Sequence, residues 1–140
     1  MTEDPIAQIL STAKVIALVG ASPNPARPSH GVMAYLQDAG YRVIPVNPGL
    51  AGQLLLGERV YARLADIPVP VDLVDIFRRS EDAGAAIDDS IAIGAKAVWL
   101  QLGIYDDAAI ARARAAGLAA VVNRCTKIEH MRLKPAPGAR

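Results

Sequence analysis

Aromatic side chains are scarce in this chain, at 4% of residues, so any core it builds must be aliphatic. Cysteine is almost missing too. Cys125 stands alone and has no intramolecular partner, which excludes a disulfide-stapled scaffold. Neither sign of charge dominates: 15 Lys and Arg against 14 Asp and Glu leave a formal net charge of +1. Attraction to nucleic acid or to an acidic membrane rests on clustered basic residues, so neither is an expected partner and any anion site must be local. No apolar run approaches the roughly 20 residues that span a bilayer. Residues 1–10 carry acids where a secretory signal places basic residues, and the cytoplasm is the expected compartment. Cys125 and His130 lack a third and fourth partner at metal-ligand spacing, so no metal is expected.

What is present fits one folded domain. Over 140 residues, 52% are hydrophobic and 21% charged, enough apolar surface to cover both faces of a sheet. Five short apolar runs, residues 15–19, 42–46, 72–76, 97–102 and 118–122, are rich in Val and Ile and do not alternate with polar residues. That pattern predicts parallel strands buried on both faces. Helical stripes fall between them. Val32, Tyr35, Leu36 and Ala39 share one face of a helix, as do Ala83, Ile87, Ile91 and Gly94, and Ile6, Ile9, Leu10 and Ala13 do so before the first strand. A fourth helix over residues 107–116 opens with Asp106 and Asp107 and carries Arg112 and Arg114 near its end, charges that suit the helix dipole.

Gly40, Gly94 and Gly117 each close a helix just before a strand, the punctuation of a repeated βαβ chain with right-handed crossovers. Residues 47–70 show turn signals but no long helical stripe, so a loop with short structure is expected there. The domain is assigned to residues 1–133. Residues 134–140, with two prolines and a glycine, are expected to be a loose tail.

The connection from first strand to first helix, Val19-Gly20-Ala21-Ser22 running on to Arg27-Pro28-Ser29, takes about nine residues where such loops usually take about two to six. Ligands of open α/β sheets sit at the carboxyl ends of the strands, where a helix N-terminus offers free N–H groups to phosphate. Gly20 allows close backbone approach, Ser22 and Ser29 bring hydroxyls, and Arg27 brings a fixed charge; Ser29 is also a good N-cap. The loop lacks the full dinucleotide fingerprint, since Ser22 stands in place of the second glycine. The second strand ends Pro45-Val46-Asn47-Pro48 without the acid that holds the ribose in a NAD site.

Taken with Val74-Asp75-Ile76-Phe77-Arg78-Arg79, Val98-Trp99-Leu100-Gln101-Leu102-Gly103 and Val122-Asn123-Arg124-Cys125, these motifs make the chain resemble the stand-alone CoA-binding proteins related to the nucleotide-binding domain of the succinyl-CoA synthetase α subunit. The resemblance covers nearly the whole chain. It implies a single Rossmann-like, doubly wound α/β domain with a five-stranded parallel sheet flanked by helices, holding coenzyme A or an acyl-CoA and having no catalytic residues. It implies further that Gly20, Ala21 and Ser22 line the pyrophosphate with Arg27 and Ser29, while Asn47 and Pro48 shape a wall for the nucleotide. Phe77 then packs on an apolar part, Arg78 meets a phosphate, and Gln101, Gly103 and Asn123 complete the cleft. No second domain and no phosphohistidine site accompany the motifs, so synthetase catalysis does not carry over.

Two other classes remain open at this point. One is a small NADP-dependent oxidoreductase in which Arg27 or Arg78 reads the extra phosphate. The other is a regulatory subunit that docks a protein partner under nucleotide control. Several residues near the same rim have structural readings. Arg79 is as much a solvated partner of Glu81 and Asp82 as a ligand contact. Cys125 reads as a small buried hydrophobe, and Trp99 as core. Asp72 and Asp75 are expected to be one exposed acid and one structural acceptor, with Asp75 nearer the ligand rim.

Overall fold

The computed structural model of the protein describes residues 5–138. Five strands form one parallel sheet: β1 (Val15–Val19), β2 (Arg42–Val46), β5 (Leu73–Ile76), β6 (Ala97–Leu100) and β7 (Ala119–Val121). Their spatial order is β2-β1-β5-β6-β7. Between β2 and β5 the chain forms 3₁₀ turns at Pro48–Leu50 and Leu64–Asp66 and a small antiparallel ribbon, β3 (Leu54–Leu55) with β4 (Glu58–Arg59). The loop expected over residues 47–70 is thus a loop that carries only these short pieces of structure.

Helix α1 (Pro5–Thr12), α2 (Pro28–Asp38) and α5 (Thr126–Leu133) cover one face of the sheet, while α3 (Ser80–Ala92) and α4 (Asp107–Ala115) cover the other. Val and Ile dominate the strands because each central residue is buried from both sides: β1, β5 and β6 are buried at every position. Even the large ring of Trp99 is fully enclosed. Gly40, Gly94 and Gly117 all adopt positive φ at helix ends, as the helix, glycine, strand pattern requires. Helix α4 is capped by Asp106, whose Oδ1 accepts the Ala109 N–H at 3.0 Å.

The sheet's outer margin at β2 is partly covered. Pro45 interrupts the row of donors there, and the Tyr61 N–H donates to the Pro45 carbonyl at 3.1 Å, while the Asn47 N–H donates to the Tyr61 carbonyl at 2.9 Å. Proline is tolerated in a strand at such an edge.

Helix α5 has no counterpart in the sequence pattern. Its buried residues are Thr126, Glu129 and His130, whereas Ile128 and Met131 face outward. After it, the segment expected to be loose makes specific contacts. His130 Nε2 lies 2.9 Å from the Pro135 carbonyl and the Gly138 N–H donates to the Ala13 carbonyl at 2.8 Å. Residues 139–140 of that segment, and residues 1–4 of the amino-terminal stretch, lie outside the described residues.

Candidate functional site

The sheet order reverses between β1 and β5, because the chain leaves β1 for β2 on one side and returns to β5 on the other. At such a switch point the loops following the two strands diverge and open a crevice. Gly20 and Phe77 begin these two loops. The Phe77 N–H donates to the Val19 carbonyl at 2.8 Å, and the Gly20 N–H donates to the Val46 carbonyl at 3.0 Å. Gly20 has φ +89°, and a Cβ there would collide with the Phe77 carbonyl oxygen. Only glycine lets the two loops pass this closely.

Above that crossing lies a cleft of about 680 Å³. Gly20, Ala21, Ser22, Arg27 and Ser29 line it from the β1–α2 loop, and Asn47 lines it from the end of β2. Phe77 and Arg78 contribute the wall after β5, and Gln101 the wall after β6. Pro48 instead lines a smaller recess of about 200 Å³ next to it, which shares Arg78. Gly103 and Asn123 are not in the lining. The Gly103 N–H donates to Asn123 Oδ1 at 2.8 Å, so the two residues tie the turn after β6 to the turn after β7. Asn123 takes positive φ, 60°, a conformation that Asn tolerates better than most residues.

The β1–α2 loop is built by its own short polar side chains. Ser22 Oγ accepts the Asn24 N–H at 3.1 Å, and Asn24 Oδ1 accepts the Ala26 N–H at 2.9 Å. Since Ser22 Oγ only accepts here, its proton is left for another partner. Ser29 is not the N-cap. Pro28 begins the helix, because its fixed φ suits the first helical position, and Arg27 takes the cap position in extended conformation without a side-chain bond. Ser29 consequently turns inward and is buried.

Sequence reasoning missed several members of the lining. Pro28, Val32, Leu102 and Ile104 belong to it, joined by Arg79 and Cys125, two rim residues that also had structural readings. Cys125 is partly exposed rather than buried. Arg79 combines both expectations: it contacts Asp82 at 3.1 Å and Glu81 at 3.7 Å and still reaches the cleft. Leu102 and Ile104 were hidden because β6 ends at Leu100; the apolar run continues into the turn. Tyr105 stands outside the cleft lining, half exposed.

Three arginines thus converge on the cleft, and no carboxylate lines it. Arg27 and Arg78 form no salt bridge with a described residue. In a chain of net charge +1, that is a local cationic field of the kind that concentrates an anionic ligand.

Asp72 and Asp75 depart from expectation as a pair, since neither is exposed. Asp72 lies before the strand, at the end of the sheet opposite the cleft. Burial alone would raise its pKa, but the N–H groups of Val15 and Lys14 and the charge of Lys96 together hold it below the usual carboxylate range. Asp75 is wholly enclosed. Burial pushes its carboxyl up to about 7, against the pull of the Thr126 hydroxyl. The expected proximity of Asp75 to the rim takes the form of a position beneath the cleft, through Thr126 and Gln101.

Among the described residues no three His, Cys, Asp or Glu side chains gather as a metal site, and no helix is long and apolar enough to cross a membrane.

Sheet order, flanking layers and the position of the cleft define an open, doubly wound α/β domain of Rossmann-like architecture. The chain belongs to the CoA binding domain family, whose model matches residues 14–131. It is 36% identical over 125 residues to the uncharacterized protein YneT of Bacillus subtilis, covering 89% of this chain and 91% of that one. A hypothetical protein from Pyrococcus horikoshii has a similar structure, with a TM-score of 0.89 and 42% identity, covering 96% of this chain and 93% of that one. A dinucleotide-forming acetyl-coenzyme A synthetase from Ca. Korarchaeum cryptofilum matches with a TM-score of 0.69 and 26% identity, over 81% of this chain but 26% of that much longer one.

Proposed function

We propose that the cleft binds coenzyme A or an acyl-CoA through its phosphates, and that this binding is the protein's molecular task. The observation that carries this reading is the convergence of Arg27, Arg78 and Arg79 on a carboxylate-free cleft at the switch point of the sheet. In this reading the Gly20–Ser22 backbone and the start of α2 receive the pyrophosphate, with Arg27 and Ser29 beside it. Arg78 serves a second phosphate from the opposite wall. Asn47 and Pro48 border the nucleotide, and Phe77 packs on an apolar part of the ligand. Gly103 and Asn123 act from behind the wall by fixing its turns.

Charge-assisted hydrogen bonds contribute about 1.5–3 kcal/mol each, and micromolar affinity requires about 8 kcal/mol. Two or three arginine contacts with a few hydroxyls and amides are sufficient for that.

Calorimetric titration of ligand-stripped protein with CoA, 3′-dephospho-CoA, acetyl-CoA, ATP and NADP tests the proposal. Selective CoA binding that weakens in Arg27→Ala is the expected result, and the dephospho analogue reveals whether the 3′-phosphate is read. Binding of NADP with none of CoA would overturn it in favour of a reductase.

A further inference from the structure

Asp75 lies in β5 with its side chain on the face that carries α1, α2 and α5, and none of it reaches solvent. One carboxyl oxygen, Oδ2, is 2.7 Å from Thr126 Oγ1 at the start of α5. The other, Oδ1, is buried without a hydrogen-bond partner among the described residues. The same Thr126 hydroxyl lies 3.3 Å from Gln101 Oε1, which also accepts the Thr126 N–H at 3.3 Å. Gln101 in turn lines the cleft, as does Cys125 immediately before Thr126.

A hydroxyl has one proton to donate, so Thr126 cannot serve both oxygens at once. With Asp75 ionised, the hydroxyl must donate to Oδ2 and its approach to Gln101 is left without a proton. With Asp75 protonated, Oδ2–H donates to Thr126 Oγ1, and the hydroxyl proton turns to Gln101 Oε1. Only the second arrangement fills all three contacts.

We propose that Asp75 is a positioning residue for the cleft: its charge state sets the direction of the Thr126 hydroxyl, and thereby how firmly Gln101 and the first turn of α5 are held beneath the ligand. The consequence for ligand affinity rests on the proposed function of the cleft; the proton relay itself does not.

The elements packed around Asp75 present it with mostly apolar side chains. Its neighbours in register on the adjoining strands are Leu18 and Trp99. From α1 and α2 the buried residues are Ile9, Leu10, Ser29, Val32, Met33 and Leu36, none of them charged; His30, in the first turn of α2, is partly exposed. On α5, Glu129 is paired with Arg132, His130 is engaged by Tyr35 and Pro135, Lys127 lies over the Tyr35 ring, and Cys125 faces the cleft. The upward displacement of the Asp75 carboxyl comes from burial, and the Thr126 hydroxyl opposes it.

Trp99 supplies a reporter independent of any ligand. It is the chain's one tryptophan, and its indole N–H donates to the Arg124 carbonyl at 2.7 Å, two residues before Thr126. The indole ¹H–¹⁵N signal is followed from pH 5.5 to 8.5 in ligand-free wild type, Asp75→Asn and Thr126→Val. The wild type should show one titration with a midpoint near 7, absent in Asp75→Asn and displaced upwards in Thr126→Val, which removes the donor to the ionised form. Labelling aspartate carboxyls with ¹³C in the wild type reads the same midpoint directly if a variant does not fold. CoA affinity should then change with pH by a factor that Asp75→Asn reduces. A wild-type indole signal without titration, a Asp75 carboxyl that titrates at an ordinary pH, or an unchanged titration in Asp75→Asn overturns the relay even where CoA binds. An intact titration in a protein that does not bind CoA upholds the relay and overturns the proposed ligand.

Discussion

The Asn47 side chain grips the backbone at Ala21: its Nδ2 donates to the Ala21 carbonyl at 2.8 Å, while its Oδ1 accepts the Gly49 N–H at 2.9 Å. The end of β2 therefore holds the β1–α2 loop in place and caps the 3₁₀ turn at Pro48–Leu50 with the same side chain. Asn47→Ala releases both. A lost cap costs about 1 kcal/mol, and the freed loop should weaken CoA binding several-fold. Chemical denaturation and calorimetry on one variant measure the two effects separately.

Gly20 and Gly31 should respond to alanine in opposite ways. At Gly20 the positive φ and the Phe77 carbonyl leave no room for a methyl group, so Gly20→Ala should destabilise the domain by more than about 1 kcal/mol and spoil the cleft. At Gly31, within α2, a methyl group meets nothing within 4 Å. Gly31→Ala should be neutral or stabilise by up to about 1 kcal/mol, the helix preference for alanine. Urea midpoints of the two variants decide.

Arg27→Ala and Arg78→Ala should each reduce CoA affinity about tenfold or more, the loss of one charge-assisted contact. Added salt should weaken binding to the wild type, and less so to the variants, because each removes part of a screened attraction. Equal affinity in all three proteins would mean that the anion sits elsewhere.

Asp72 and Asp75 should oppose one another in the pH dependence of stability. Asp72 is held below its ordinary value of 3.8. It contributes stability that is present above that value and lost as pH falls through its folded pKa. Asp75 is raised from 3.8 to about 7. The unfolded chain releases that proton first, so stability declines as pH rises from about 4 to 7 and then levels. Urea unfolding across pH 3–8 should show this fall in the wild type and its loss in Asp75→Asn.

Strands and helix ends were legible because burial on both faces leaves a simple mark: Val15 to Val19 and Arg42 to Val46 have the expected bounds, and β5, β6 and β7 lie inside theirs. The rim followed, since strand ends locate the loops that Gly20, Asn47, Phe77 and Gln101 begin or occupy. Helix α5 was not legible, because it buries Thr126, Glu129 and His130 through hydrogen bonds and leaves Ile128 and Met131 outside. Its stripe is polar, and hydrophobic periodicity has nothing to detect. The burial of Asp75 was hidden for a related reason: the Thr126 hydroxyl that accommodates it lies 51 positions away in the chain.

The margin of the sheet at β2, broken by Pro45 and bridged by Tyr61, bears on self-association. An open edge is a template on which another molecule can add a strand. Here that template lacks one donor and is bridged at its carboxyl end by Tyr61, while the opposite margin, β7, is three residues long. A sheet of mostly Val, Ile and Leu thus has little free edge through which copies of the chain could join into a continuous β-structure.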